Sequence, residues 1–219
     1  MDVDDDDAVT HGVHGILSTY GKLHAVVACA GWGLAGPAET TPIEDAKAQL
    51  ESNFWGAVRV VNAVLPAMRR QGGGRLVVMS SICGLLGLPF QSYYSASKFA
   101  LEGFAEAITY EVAPFNVHVT LVEPGNFKTG FTASRRTPNA QEGDPYALAS
   151  TKAITTMEHD EQHGASPDVV AALVERVLDS RMPPRRVSVG KRLERFGLVI
   201  KRFLPFRLFE ASVKSSLGV

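Results

Sequence analysis

Continuous apolar runs alternate with helix-forming segments over the first 122 residues of this chain. Runs of this length, each followed by a turn, indicate strands that are buried on both faces of a sheet. The predicted strands are 23–30, 75–80 and 117–122, and the predicted helices are 43–70, with a bend near Pro66, and 93–112. Strand and helix therefore alternate, which predicts an α/β fold with a parallel sheet and helical crossovers.

Weaker patterns flank this region. Residues 9–20 are weakly helical, and the acidic run Asp4–Asp7 before them suits the positive end of a helix, although a solvated terminus explains it equally well. The polar, turn-rich segment 126–141 predicts an excursion over the carboxyl ends of the strands, which we interpret as a substrate lid. The remaining predicted elements are helices at 145–159 and 167–180 and a strand at 186–189.

The composition narrows the class of protein. With 219 residues, 45% of them hydrophobic and 21% charged, the chain can bury one sizeable core. Its formal net charge of −1 gives no general attraction to nucleic acid. The two cysteines, Cys29 and Cys83, occur without a secretory leader, and no apolar run reaches the roughly 20 residues that span a bilayer. We therefore expect a soluble, cytoplasmic protein without a structural disulfide.

Candidate chemistry begins with Tyr94 and Lys98, which stand four residues apart at the start of a predicted helix and so share one face. Hydride transfer to or from a carbinol carbon needs a group that gives or takes the hydroxyl proton near neutral pH. An unperturbed tyrosine has a pKa of about 10, and a neighbouring ammonium favours ionisation of its phenol. The pair predicts a proton-transfer site, although this spacing alone also recurs by chance in helices.

Ser81 adds a second element to this site. It lies thirteen residues before Tyr94, just past the end of a predicted strand, where a hydroxyl can hydrogen-bond a substrate oxygen. Ser80 competes for the same role. For both serines the alternative is that the hydroxyl only satisfies the backbone of the turn.

The sequences SSICG at 80–84 and YSASKFALEG at 94–103 closely resemble the catalytic stretch of the compact short-chain dehydrogenases/reductases. The spacing in that family selects Ser81 over Ser80. Asn53, in the sequence Asn-Phe-Trp-Gly, is similar to the family's catalytic asparagine.

Other short motifs resemble the parts of that family that bind the cofactor. Ala-Cys-Ala-Gly at 28–31 is similar to the family's Asn-Asn-Ala-Gly turn with both asparagines replaced, and 124–129 matches its Pro-Gly-x-x-x-Thr element. The resemblance, which covers nearly all of 2–189, also aligns Asp2 with the carboxylate that contacts adenine. The cofactor-binding residues that it implies are Asp2, Val3, Ala30, Gly31, Tyr94, Lys98, Pro124, Gly125 and Thr129.

The resemblance implies a Rossmann-like doubly wound parallel sheet that binds NAD or NADP, with hydride passing between nicotinamide and a substrate alcohol or carbonyl carbon. Tyr94 would be the general acid and base, and Lys98 would lower the pKa of Tyr94 and hold the nicotinamide ribose. Ser81 would position the substrate oxygen, and Asn53 would support a water-linked proton path.

The chain departs from that family at its start. Family members begin with a strand, a Thr-Gly-x-x-x-Gly-x-Gly turn and a helix that receives the cofactor pyrophosphate. The glycine pattern at 31–36 is no substitute, because it runs into Pro37 and occupies the register of the Asn-Asn-Ala-Gly turn. We therefore expect a sheet that is N-terminally truncated by about 60 residues. We favour a fragment of a longer active enzyme; the alternative is a truncated, non-catalytic relative that serves as an oligomer partner.

The chain is predicted to comprise a Rossmann-type catalytic core, residues 1–190, and a basic and apolar C-terminal extension, residues 191–219. Within the extension, 196–209 mixes apolar side chains with Lys and Arg, as is typical of an interfacial amphipathic helix. A helix over the substrate pocket or a subunit contact fits it at least as well, because Pro183 and Pro205 interrupt the run.

The expected partners follow from these observations and from the resemblance. They are a hydrophobic small-molecule alcohol or carbonyl, further copies of the chain in a homo-oligomer, and a membrane surface touched weakly by the extension. Neither nucleic acid nor a metal is expected. The histidine pairs His11/His14 and His159/His163 are better explained as solvated helix surfaces than as metal ligands.

Overall fold

In a computed structural model that describes residues 1–138 and 143–219, four parallel strands form one sheet in the order β1-β2-β3-β4. The strands are β1 (Ala25–Ala28), β2 (Gly74–Met79), β3 (Val117–Pro124) and β4 (Arg186–Val189). The α-helices are α1 (Asp6–Tyr20), α2 (Ile43–Leu50), α3 (Gly56–Arg70), α4 (Ser92–Val112), α5 (Phe131–Ser134), α6 (Ala147–Gln162), α7 (Asp168–Asp179), α8 (Arg192–Phe203) and α9 (Phe206–Leu217). The predicted α/β, Rossmann-like fold class is confirmed.

The core lies on both faces of the sheet. In β2, Leu76 and Val78 belong to a cluster with α1, α3 and α4, whereas Val77 between them belongs to a second cluster with α7. All three side chains are buried to at least 99%. Successive side chains of a strand point to opposite faces, so a strand covered by helices on both sides must be continuously apolar. This is why the run 75–80 shows no polar alternation.

The long helix predicted for 43–70 is divided in the structure. α2 passes into a π-helical turn, Glu51–Trp55, and α3 then continues through Pro66 to its end. The helix is therefore interrupted at the π turn, which was not predicted, and α3 is continuous through Pro66, where the bend stays a prediction. Such wide turns are frequent at functional sites, and this one carries Asn53, which is completely buried.

The acidic run before α1 is a helix cap. The Asp5 carboxylate accepts hydrogen bonds from the backbone N–H groups of Asp7 at 2.8 Å and Ala8 at 3.0 Å. Because a capping carboxylate satisfies N–H groups that have no partner inside the helix, α1 begins earlier than its apolar pattern indicates. Gly21, with φ 71°, ends the helix in the left-handed conformation that glycine favours.

The first three strands end at the same edge of the sheet. The register pairs Ala28 of β1 with Val78 of β2, and Met79 of β2 with Val122 of β3. The loops that follow these strands therefore meet at one place. In open parallel sheets this is the edge at which ligands bind.

The C-terminal extension forms two helices that pack on the core. Pro205 separates α8 from α9, and Leu217 of α9 packs against Ala153 and Met157 of α6. The Glu194 carboxylate in the first turn of α8 accepts a hydrogen bond from the Lys191 N–H at 3.0 Å. Among the described residues, no helix combines the length and the apolar character needed to cross a bilayer.

Candidate active site

A cavity of about 1380 Å³ lies at the carboxyl ends of the strands. Its lining residues at the strand ends include Cys29, Gly31, Ser80, Ser81, Pro124 and Gly125. Tyr94 and Lys98 of α4 line the same cavity. The parallel register and the position of α4 thus bring residues from separate sequence motifs together in one cavity.

Tyr94 and Lys98 lie on one side of α4, and their side chains are almost completely buried. The Lys98 Nζ is 5.9 Å from the centroid of the Tyr94 ring and donates a hydrogen bond to the Met79 carbonyl oxygen at 3.0 Å. An ammonium carries three N–H groups, and among the described residues only this carbonyl accepts one. Two N–H groups of Lys98 are therefore available to a ligand.

Burial dominates the acid-base behaviour of the pair. It raises the pKa of Tyr94 above its ordinary value, and the neighbouring Ser81 hydroxyl opposes this rise only in part. Burial also lowers the pKa of Lys98 to about 8. Desolvation thus outweighs the expected effect of Lys98 on Tyr94 in this structure, and the phenol is neutral at physiological pH.

Ser81 follows β2 and opens a short 3₁₀ turn, Ile82–Gly84. Its hydroxyl accepts a hydrogen bond from the Cys83 N–H at 3.1 Å and donates one to the Pro124 carbonyl oxygen at 3.4 Å. The Ser80 hydroxyl is buried without a hydrogen-bond partner among the described residues. Both serines line the cavity, but Ser81 is the one whose hydroxyl influences the Tyr94 phenol.

Asn53 is not among the residues that line the cavity in the described part of the chain, but its buried side chain lies against Gly31, which does line it. Its Nδ2 donates hydrogen bonds to the Trp32 carbonyl oxygen at 2.9 Å and to the Ser97 hydroxyl at 3.2 Å. The Ser97 hydroxyl in turn donates to the Tyr94 carbonyl oxygen at 2.7 Å. The asparagine therefore connects the loop after β1 to the turn of α4 that carries Tyr94.

Gln49 supports the same loop, although no sequence motif marks it as a functional residue. It is completely buried; its Nε2 donates to the Trp32 carbonyl oxygen at 2.9 Å and its Oε1 accepts from the Leu34 N–H at 2.6 Å. Gln49 stands four residues before Asn53, a spacing that could have indicated two amides on one helix face. The glycine pattern at 31–36 is thus a braced loop ahead of α2, which agrees with its rejection as a phosphate-binding helix start.

The predicted lid lies over the strand ends in the described residues 126–138, whereas 139–141 fall outside the described residues. Its short helix α5 brings the Phe131 ring to 5.6 Å from the Tyr94 ring, between centroids. Arg135 forms a buried ion pair with Glu161 of α6, and Glu161 also accepts a hydrogen bond from the Thr132 hydroxyl at 2.7 Å. Phe131 was not singled out from the sequence, because nothing local marks this contact.

The residues predicted to bind a cofactor fall into two groups. Those that line the cavity are Gly31, Tyr94, Lys98, Pro124, Gly125 and Thr129. Asp2, Val3 and Ala30 are not among its lining residues in the part of the chain that the structure describes. Asp2 accepts a hydrogen bond from the Asp4 N–H at 3.0 Å, and Val3 packs against Gly56. An adenine contact at Asp2 and Val3 stays a prediction.

The C-terminal helices form the remaining wall of the cavity. Apolar side chains on α6 to α9 that line it include Met157, Val174, Phe196, Ile200, Phe209 and Val213. The Glu194 carboxylate lies against Gly125 and accepts a hydrogen bond from the Asn126 N–H at 3.4 Å, so α8 is fixed to the loop after β3. The interpretation of 196–209 as a helix over the pocket agrees with this arrangement.

Known proteins share this chain's sequence over much of its length. The family model described as short chain dehydrogenase matches residues 1–140. The chain is 34% identical to a 3-ketodihydrosphingosine reductase of Bacteroides thetaiotaomicron, over 98% of this chain and 80% of that protein. It is 36% identical to retinol dehydrogenase 8 of Bos taurus over 88% of this chain, and the match spans 63% of the bovine protein.

A solved structure shares the fold as well. The crystal structure of a short-chain dehydrogenase from Streptomyces avermitilis superposes with a TM-score of 0.81 at 28% identity, covering 100% of this chain and 75% of the other. The similarity therefore extends over the four-stranded sheet, the lid and the C-terminal helices.

Proposed function

Because this chain belongs to the short-chain dehydrogenases, we propose that it is an oxidoreductase that uses NAD or NADP to interconvert a secondary alcohol and a carbonyl on a hydrophobic substrate. The observation that carries the proposal is the convergence of Tyr94, Lys98 and Ser81 in one cavity with largely apolar walls. A proton donor, a cation and a hydroxyl beside an apolar space are the groups that this reaction needs.

The residues at the strand ends fit such a cofactor. Lys98 has two N–H groups available for ribose hydroxyls, and the Thr129 hydroxyl lies in the same wall. Gly31 has no side chain between the loop and Lys98; a Cβ there would lie 3.9 Å from the Lys98 Nζ. A nicotinamide bound in this cavity would give or take the hydride at the substrate carbon.

The chain's own part in the reaction is the movement of a proton. In carbonyl reduction, the neutral Tyr94 phenol donates its proton to the substrate oxygen. The Ser81 hydroxyl turns its single hydrogen from the Pro124 carbonyl to the same substrate oxygen. With a pKa of about 8, Lys98 is mostly charged at neutral pH, and its charge stabilises the phenolate that Tyr94 becomes. In alcohol oxidation each proton moves in the reverse direction.

We place Asn53 as a positioning residue in this scheme. Its amide is engaged by Trp32 and Ser97, so it sets the relation between the loop after β1 and the helix turn of Tyr94. A water-linked proton path that starts from Asn53 stays a prediction.

The substrate class follows from the cavity walls. Side chains of Phe, Ile, Leu, Met and Val from four helices surround the space beyond Tyr94. Apolar walls with a few polar groups at one end orient a lipophilic molecule by its oxygen. The two relatives, a 3-ketodihydrosphingosine reductase and a retinol dehydrogenase, support a long-chain or isoprenoid alcohol or ketone as the substrate.

We also propose how copies of the chain assemble and where in the cell the protein lies. A homo-oligomer would form through the exposed sides of α3 and α4, where Phe99 is 45% exposed and the adjoining Trp55 is 49% exposed. We propose a cytoplasmic protein that touches a membrane surface weakly through residues 191–219. Sedimentation of the purified chain would give the number of subunits.

Calorimetric titration of the 219-residue chain with NADH and with NADPH tests the function. We expect saturable binding of at least one, followed by oxidation of the bound cofactor when a lipophilic ketone is added. Binding of neither nucleotide would overturn the proposal and favour the non-catalytic oligomer partner.

A further inference from the structure

We infer that the outer face of α8 and α9 docks onto an anionic membrane surface, so that a lipophilic substrate passes from the bilayer directly into the cavity. The identity of the substrate rests on the proposed oxidoreductase function. The docking does not, because it depends on the surface of the two helices alone.

The first observation is a cluster of large apolar side chains that the fold leaves exposed. Val199, Phe203, Phe206 and Leu208 are exposed by 56%, 78%, 78% and 59%, and we call these four residues the outer ridge. Single exposed apolar side chains are common on protein surfaces, but Val199 and Phe203 are four residues apart and share one face of α8. Neighbouring exposed side chains of this size mark a surface that meets a partner. None of the four is among the cavity-lining residues of the described chain.

The second observation is that the outer ridge continues into the cavity. Leu193 and Phe196 of α8 line the cavity and are also 80% and 58% exposed, so they lie at its rim. Phe196, Val199 and Phe203 are spaced three and four residues apart, which places them side by side on one face of α8. An apolar path therefore runs from the outside of the helix to the inside of the pocket.

The third observation is charge. Residues 191–219 contain seven Lys and Arg against two Glu, whereas the rest of the chain has more acidic than basic residues. Arg195 and Arg202 are both exposed and stand two turns apart on the same side of α8. Neither forms a salt bridge with any residue in 1–138 or 143–219. An apolar strip beside a basic row is the pattern of a helix that lies in the interface of an anionic bilayer.

The positive charge of this face also indicates that its partner is a membrane and not a second copy of the chain. Two copies that met through this face would bring together the same arginines, and like charges at close range repel. An anionic lipid surface neutralises Arg195 and Arg202 while its acyl region accepts Phe203 and Phe206. The membrane is therefore the occupant that satisfies both the apolar and the charged parts of the surface.

Co-sedimentation of the full chain with lipid vesicles tests the docking. We expect binding to phosphatidylcholine vesicles that contain roughly 30% phosphatidylserine, weaker binding to pure phosphatidylcholine, and loss of binding at high salt. The double substitution Phe203→Ser and Phe206→Ser should weaken binding by about tenfold or more. Arg195→Gln with Arg202→Gln should weaken it by roughly thirtyfold. Tyr20→Ser, which removes a 77% exposed side chain from the end of α1, is the matched control and should change nothing.

Measurements of turnover distinguish delivery of the substrate from docking of the protein on the membrane. The Phe203→Ser and Phe206→Ser variant should keep the rate of the parent chain on a water-soluble ketone and lose rate on a long-chain ketone embedded in anionic vesicles. If the parent chain binds vesicles but reduces no ketone, the oxidoreductase proposal fails and the docking stands. Absence of binding to anionic vesicles overturns the docking. A conversion of oligomer to monomer by the double substitution, without vesicle binding by the parent, would identify the face as a subunit interface instead.

Discussion

The Asn53 side chain hydrogen-bonds both backbone polar groups of Trp32: its Nδ2 donates to the carbonyl oxygen at 2.9 Å, and its Oδ1 accepts from the N–H at 3.0 Å. This arrangement is possible because the π turn places a completely buried amide against the loop after β1. The loop that borders the cavity is thus held by a side chain from the neighbouring helix.

Replacement of Asn53 by Asp tests this role. The substitution keeps the shape but turns the Nδ2 donor into an acceptor. It leaves the Ser97 hydroxyl without this donor and places a carboxylate oxygen against the Trp32 carbonyl, which keeps only the hydrogen bond from the Gln49 Nε2. We expect the free energy of unfolding to fall by about 1–3 kcal/mol in urea denaturation at pH 8. Asn62→Asp, at an exposed position of α3, is the control and should change it by less than about 0.5 kcal/mol. Equal losses in both variants would contradict the assignment.

The Gly31→Ala substitution tests how closely the loop after β1 packs against Asn53. A Cβ at this position would lie 2.8 Å from the Asn53 Oδ1, so either the loop or the amide must move. We expect a loss of stability of about 1–3 kcal/mol and weaker nucleotide binding, measured by thermal unfolding and calorimetry. Gly103→Ala is the matched control: an added Cβ in this exposed turn of α4 meets no atom within 4 Å, and alanine should stabilise the helix by up to about 1 kcal/mol.

Conversion of Tyr94 to Phe removes the proposed proton donor and keeps the ring that packs against Phe131. We expect turnover to fall by roughly 10²- to 10⁴-fold with nucleotide binding and thermal unfolding nearly unchanged. The control is Tyr93→Phe, because the adjacent hydroxyl donates to the Ala38 carbonyl oxygen at 3.1 Å and does not line the described cavity. Turnover retained in Tyr94→Phe would remove Tyr94 from the reaction.

The parts of the site that could be predicted from sequence are those fixed by local geometry. Tyr94 and Lys98 are four apart on a helix, and Ser81 follows a strand, so short-range rules place all three at one sheet edge. The strand at 186–189, in which polar residues alternate with two valines, was predicted with the bounds that the structure shows.

The parts that could not be predicted depend on contacts between distant segments. The Tyr94 phenol is neutral because it is buried, and Phe131 of the lid contributes to this burial. The spacing of Tyr94 and Lys98 in the sequence does not indicate how deeply the two side chains are buried. The apolar wall from α6 to α9 likewise requires the extension to fold back over the strand ends. The adenine contact that the motif match predicts for Asp2 stays a prediction; in the structure its carboxylate accepts a hydrogen bond from the Asp4 N–H.

A buried carboxylate at the end of β3 makes the free energy of unfolding depend on pH. Glu123 is completely buried, accepts a hydrogen bond from the Ser188 hydroxyl and lies 2.8 Å from the Arg186 Nε through its Oε1. Arg186 is shared with Glu102 and Glu106, so its charge only partly offsets the loss of solvation. Burial therefore raises the pKa of Glu123 from its ordinary value of 4.5 to about 7.

The sign of the effect follows from where the proton is bound. Between pH 4.5 and 7 the folded chain holds a proton on Glu123 that the unfolded chain releases, so the free energy of unfolding falls as pH rises through this window, by up to about 3 kcal/mol. Glu123→Gln should remove most of this fall when urea denaturation is compared at pH 5 and pH 8. Glu106→Gln removes an exposed carboxylate from the same arginine and should leave the fall in place. If both variants keep the pH dependence of the parent chain, its source lies outside this cluster of carboxylates around Arg186.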